Sequence, residues 1–172
     1  LASLGRLTVK LSFPYGSPGM TASDWQSVDK HRTHITALNS SSMSLLRILD
    51  KDRYFVNISH GESVRADRTG RHEFRLESCE SDKMEFVLLF SPVPIHKGTD
   101  SYGSVESESC TGWKKYWMEG GIVEFAGSED PRAPELERRM VQSLYLTRVQ
   151  CAGTLPPQET GLTFNSWYGK FH

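Results

Sequence analysis

Along the first hundred residues, apolar and polar side chains alternate in short runs separated by turn-formers. A period of two puts successive side chains on opposite faces of a strand, so this region is expected to be all β. In LGRLTVKLSFP (4–14), Leu7, Val9, Leu11 and Phe13 share one face, Thr8, Lys10 and Ser12 share the other, and Pro14 ends the run. Residues 15–30 are polar and rich in Gly, Ser and Asp, predicting a loop with one aromatic anchor, Trp25. HRTHITAL (31–38) and SMSLLRIL (42–49) flank an Asn/Ser turn and predict a hairpin. Asp50-Lys51-Asp52 predicts a tight turn into RYFVNISH (53–60), and further strands are expected at 72–77 and 84–91. Strands at about ten-residue spacing fit an antiparallel β-sandwich better than a βαβ sheet.

The pattern changes at 92–103, where Pro92, Pro94, Gly98 and Gly103 mark a boundary or linker. Ser104–Met118 predicts a short helix whose Trp113, Tyr116 and Trp117 form an aromatic stripe, expected to pack against the sheet. Gly120-Gly121 then predicts a turn and Ile122–Phe125 a short strand. Asp130 to Ala152 carries the strongest helical pattern. Asp130 suits the N-cap and Pro131 the first helical position, where a missing N–H removes no bond. Glu135 and Glu137 suit the positive end of the helix dipole, and Leu136, Met140, Val141, Leu144 and Val149 supply the apolar stripe. Gly153 suits the residue after the C-cap, and Pro156-Pro157 stops the helix. The predicted organisation is a β-sandwich domain over 1–100, a linker with a short aromatic helix and strand over 101–129, and a helix plus terminal loop over 130–172.

Charge and cysteine content narrow the function classes. Twenty basic and 21 acidic residues leave a net charge of −1, which gives no electrostatic basis for binding nucleic acid or an anionic membrane. No apolar run approaches the roughly 20 residues of a bilayer span. The N-terminal residues lack the charged and apolar regions of a signal peptide, which leaves location undecided between cytoplasm and export. Cys79, Cys110 and Cys151 are widely spaced and form no CxxC pair, so buried or half-buried free thiols are expected rather than a zinc site. The histidines show no metal-ligand spacing, and no cofactor is expected.

The chemistry concentrates in PPQETGLTFNSWYGKFH (156–172), which follows the strong helix. Gln158, Glu159, Thr160 and Asn165 offer hydroxyl-binding amide, carboxylate and hydroxyl groups, Trp167 and Tyr168 offer rings able to cover a sugar face, and Lys170 and His172 offer charged or switchable donors. One lysine and no phosphate-cradling glycine pattern favour a neutral polyol over a phosphate. Each residue also has a plainer role: aromatics pack under loops, Glu159 can bond a nearby backbone N–H, and Lys170 can be simply solvated. Glycoside hydrolysis needs two opposed carboxyl groups, and Glu159 is the one carboxylate in the segment.

The stretch GGIVEFAGSEDPRAPELERRMVQSLYLTRVQCAGTLPPQETGLTFNSWYGKFH, with LGRLTVKLSFPY, Asp24-Trp25, KHRT and WKKYW before it, resembles a family of six-hairpin glycosidase-like proteins. The resemblance covers nearly the whole chain and is densest from Trp113 onward. It implies an N-terminal β-supersandwich domain followed by the opening helices of an (α/α) toroid. It also implies a carbohydrate partner, with Gln158, Glu159, Thr160, Asn165, Trp167, Lys170 and His172 lining a sugar subsite. The chain has Leu144 where the family has a polar Gln. The family continues past the final His into most of the toroid, where the catalytic acid and base lie. The resemblance therefore implies the N-terminal part of a glycoside hydrolase-like or phosphorylase-like protein, inactive without the helical domain of its parent chain. The alternative is a non-catalytic carbohydrate-binding or structural β-sandwich module.

Overall fold

The computed structural model describes residues 7–19, 23–79, 82–95 and 101–154. The fold is mainly β, with antiparallel sheets and two helices, a β-sandwich-like domain plus helices. Two compact units divide the chain, a β unit and a helical unit, with the division falling after Glu108.

The β unit contains β1 (Thr8–Ser12), β2 (Tyr15–Gly16), β3 (Ser23–Asp24), β4 (His31–Leu38), β5 (Ser42–Leu49), β6 (Asp52–His60), β7 (Val64–Arg68), β8 (Glu73–Ser78) and β9 (Phe86–Ser91). They form a three-stranded sheet in the order β1-β8-β7, a four-stranded sheet in the order β4-β5-β6-β9, and the small β2-β3 ribbon. All the pairings are antiparallel. The expected alternation sets the faces. Met43, Leu45, Val56, Ile58, Phe74 and Leu76 point inward from successive odd or even positions and are essentially buried. Phe13 and Val64 complete the core, and the Phe13 and Phe74 rings meet edge-on at 6.0 Å. Full burial of each such side chain stabilises by about 1.5–3 kcal/mol. On its other face the three-stranded sheet carries ion pairs between exposed groups, Lys10–Glu73 at 2.8 Å and Arg65–Glu77 at 3.0 Å, as a water-facing surface should.

The turn between β5 and β6 is tight: Leu49 pairs with Asp52, leaving Asp50 and Lys51 as its loop. Asp50 holds φ at 53°, the left-handed geometry that two-residue hairpins require and that Asp tolerates. Its carboxylate accepts a bond of 2.5 Å from the Tyr15 hydroxyl, which ties the β2-β3 ribbon to the end of the larger sheet.

Helix α1 spans Tyr102–Glu119, its residues after Glu108 belonging to the helical unit, and α2 spans Ala133–Cys151. The aromatic stripe of α1 packs on α2: Trp113 stacks on Tyr145 at 5.2 Å and the Tyr116 hydroxyl donates to the Leu144 carbonyl at 3.0 Å. The three rings of the stripe also meet one another, Trp113 stacked on Trp117 and Tyr116 edge-on to both. The expected strand at 122–125 does not form. A strand needs a hydrogen-bonding neighbour, and here the Phe125 N–H is taken by the Glu137 carboxylate at 2.8 Å instead. The start of α2 also differs. Arg132 is the N-cap and Asp130 lies outside, where its carboxylate accepts from the Arg132 N–H at 2.9 Å. Gly153 does follow the C-cap residue, Ala152. The three cysteines are free, as expected, but exposed rather than buried. Cys110 and Cys151 fall on the water-facing sides of α1 and α2, and Cys79 lies just past the end of β8.

Candidate functional site

The terminal candidates Gln158, Glu159, Thr160, Asn165, Trp167, Tyr168, Lys170 and His172 lie outside the described residues. Within them, the most unusual chemistry occurs where the sandwich interior changes from apolar to polar. On β5 the inward positions run Met43, Leu45, Arg47, so the strand's alternation carries a guanidinium into the core. Its neighbours across the sheet are Thr33 on β4 and Tyr54 on β6, the three forming one cross-strand rung. On the facing sheet the alternation Leu76, Phe74, His72 brings a histidine to the same level. His31, two residues before Thr33, supplies a second.

Arg47 is fully buried, and no carboxylate pairs with it among the described residues. A buried cation needs its donors taken up. Nη1 donates to Thr33 Oγ1 at 2.6 Å and to the Arg32 carbonyl at 3.3 Å, Nη2 donates to the Pro14 carbonyl at 3.1 Å, and Nε donates to Tyr54 Oη at 3.2 Å. The guanidinium also lies over the Phe13 ring at 5.2 Å and near the Tyr54 ring at 5.8 Å. Arg47 thereby joins the larger sheet to the end of β1.

The bonds around His72 fix its proton. Nε2 lies 2.8 Å from the Val28 carbonyl, which can only accept, so Nε2 carries the hydrogen and donates. Nδ1 is then the acceptor, 2.7 Å from Thr33 Oγ1 and 3.3 Å from Arg47 Nη1. The hydroxyl of Thr33 accepts from the guanidinium and donates to the imidazole. The whole chain of bonds requires a neutral His72. Burial holds its pKa below the ordinary value, opposed by the bond to Val28 and assisted by the positive charges of Arg47, Arg71 and Arg68.

His31 stacks on His72 with ring centroids 3.7 Å apart, and on its other side lies Tyr15 at 5.9 Å. It is 2 % exposed. Its Nδ1 is the one buried side-chain polar atom without a hydrogen-bond partner among the described residues. Burial first, then the charge of Arg47 and the neighbouring His72, lowers its pKa to about 4, so the ring is neutral at physiological pH.

A cleft of about 150 Å³ opens over this cluster, lined by Phe13, Pro14, Asp24, Trp25, His31 and Arg71 among others. Trp25 is 58 % exposed, yet the turn that carries it is well tied. Asp24 Oδ1 accepts from the N–H groups of Gln26 (2.9 Å) and Ser27 (3.0 Å), Lys30 N–H bonds the Ser27 carbonyl, and His72 holds the Val28 carbonyl. The Ser27 hydroxyl first, then the N–H groups of Ser27 and Gln26, keep the Asp24 carboxyl below its usual range. Two charged groups of the cleft wall are in ion pairs, Arg71 with Asp29 and Glu73 with Lys10. No three His, Cys, Asp or Glu side chains are grouped to hold a metal ion among the described residues.

A second cleft in the β unit, about 390 Å³, includes Asn39, Ser41, Ser59, His60 and Glu85. It is hydroxyl-rich, and its histidine is engaged, with Nδ1 3.1 Å from the Gly61 carbonyl. The larger depressions on the helical unit are open surfaces, and one is edged by groups already in ion pairs, Glu135 with Arg139 and Asp130 with Arg132.

Sequence reasoning pointed to the terminal segment and did not find the His31–Thr33–Arg47–His72 cluster. The signal available was Arg47 at the third inward position of an otherwise apolar alternation. No family model, curated protein or solved structure matches this chain.

Proposed function

We propose that this chain is the N-terminal part of a glycosidase-like, carbohydrate-active protein, contributing substrate contacts rather than the catalytic carboxyl groups. The observation that carries the reading is the chain order: sandwich-like antiparallel sheets come first, the helix pair follows, and α2 leads at Cys151 towards PPQETGLTFNSWYGKFH. In this reading Glu159 and Asn165 take sugar hydroxyls, Trp167 covers a sugar face, and Gln158, Lys170 and His172 complete the polar wall. Cleavage of the glycosidic bond by water or phosphate needs a proton donor and an opposed carboxylate, and these come from a helical domain of the parent chain. Within the described part, several carboxylates near concave surfaces already have partners: Asp24 holds backbone N–H groups, Glu73 holds Lys10, and Glu135 holds Arg138 and Arg139.

Saturation-transfer NMR with a panel of neutral oligosaccharides, run beside a reducing-end assay, tests this. Binding without release of reducing ends is the expected result for the 172-residue chain. Release of reducing ends by this chain alone would place the acid and base within it and overturn the assignment. The second reading, a carbohydrate-binding sandwich module, is favoured by the exposed ring of Trp25 in its ordered turn.

A further inference from the structure

We propose that the Trp25 cleft, lined by residues of the β unit, binds one neutral, hydroxyl-bearing ring, of the size and chemistry of a single hexose unit. The ligand class rests on the carbohydrate reading above, whereas the location rests on three features of the β unit.

The first is the presentation of Trp25. A large ring left 58 % exposed on a turn fixed by Asp24 and by the His72–Val28 bond is held ready, with little ordering required on binding. Its face suits the C–H surface of a sugar ring. The second is His31 in the cleft wall. Leaving a buried polar atom unpaired costs on the order of 1–3 kcal/mol, and a ligand hydroxyl is the kind of group that relieves it. Because Nδ1 is closed to solvent, engagement requires a small local adjustment around the His31 ring as the ligand enters. The third is charge. In the cleft wall Arg71 and Glu73 are paired with Asp29 and Lys10 and Asp24 holds backbone N–H groups, so each charged side chain of the wall is already engaged, and polar neutral groups are preferred. A volume of about 150 Å³ limits the occupant to one ring.

The test is a titration of the full chain with glucose, galactose and mannose at millimolar concentration, with inorganic phosphate and acetate as anionic probes. Wild type, Trp25→Ala and Trp167→Ala are compared, and the ring nitrogens of His31 are followed by NMR. The expected result is hexose binding weakened by about tenfold or more in Trp25→Ala, unchanged in Trp167→Ala, with a shift of the His31 ring signals. Trp25 is at the surface, so its removal leaves the fold intact. Binding lost in Trp167→Ala and kept in Trp25→Ala would overturn this site while leaving the carbohydrate reading standing. Absence of hexose binding, or binding of phosphate or acetate instead, would overturn the proposal outright.

Discussion

Arg47 carries more structural consequence than any other described side chain, because it ties both sheets together from a fully buried position. Arg47→Ala strands Thr33, Tyr54 and two carbonyls and leaves a void, and is expected to destabilise the β unit by about 3–5 kcal/mol. Arg47→Met, which fills the volume without a charge, is expected to lose less. Urea unfolding followed by circular dichroism checks both, and equal losses would mean that the polar contacts, not the volume, dominate. The two stacked histidines make stability depend on pH. Burial lowers the pKa of His31 to about 4 from 6.5 and lowers that of His72 as well, so below pH 6.5 the unfolded chain takes up protons that the folded chain refuses. Stability is therefore full above pH 6.5 and falls as pH drops towards 4, with His31 contributing on the order of 3 kcal/mol. His31→Phe should flatten that slope in denaturant titrations at several pH values; an unchanged slope would contradict the assignment. None of this was legible residue by residue. His31, Arg47 and His72 lie far apart in sequence, and SMSLLRIL reads as the more continuously apolar strand of its hairpin. Only packing one sheet on the other turns these separate positions into a cluster.

Strands with clean alternation were legible because burial on one face enforces a period of two. The 31–38 and 42–49 hairpin formed with the expected bounds. β7 (VRADR) escaped because it is an edge strand with Val64 buried and charges at three of its five positions. Ile122–Phe125 misled for the opposite reason: its side chains suit a strand, but no strand lies beside it among the described residues of the helical unit. For the helices, apolar spacing located α1 and α2 but not the partner of the aromatic stripe. Ala133 is the one buried residue on the two helices, and the contact between α1 and α2 rests on the Trp113 and Tyr145 rings and one hydroxyl. Trp113→Ala removes the stack on Tyr145 and on Trp117, and is expected to lower helix content at 222 nm and blunt the helical unit's thermal transition, while Tyr116→Phe does less. An unchanged transition in Trp113→Ala would show that the stripe does not hold the pair together.

At the scale of the whole molecule, the β unit has a continuous apolar core and the helical unit leaves large apolar side chains exposed, among them Leu136, Tyr145, Leu146 and Val149 on α2. No helix among the described residues is long and apolar enough to cross a membrane. The sheets-then-helices order was readable from the change of period near residue 92, whereas the ligand chemistry proposed for residues 156–172 depends on residues brought to that segment from elsewhere. The central claim is that the chain engages carbohydrate through that segment. Isothermal titration of wild type, Glu159→Gln and Trp167→Ala with neutral oligosaccharides tests it most directly. The account predicts measurable binding by wild type, weakened by about tenfold or more in each variant. Equal binding by all three proteins, or heat changes no larger than dilution for every oligosaccharide, would contradict it.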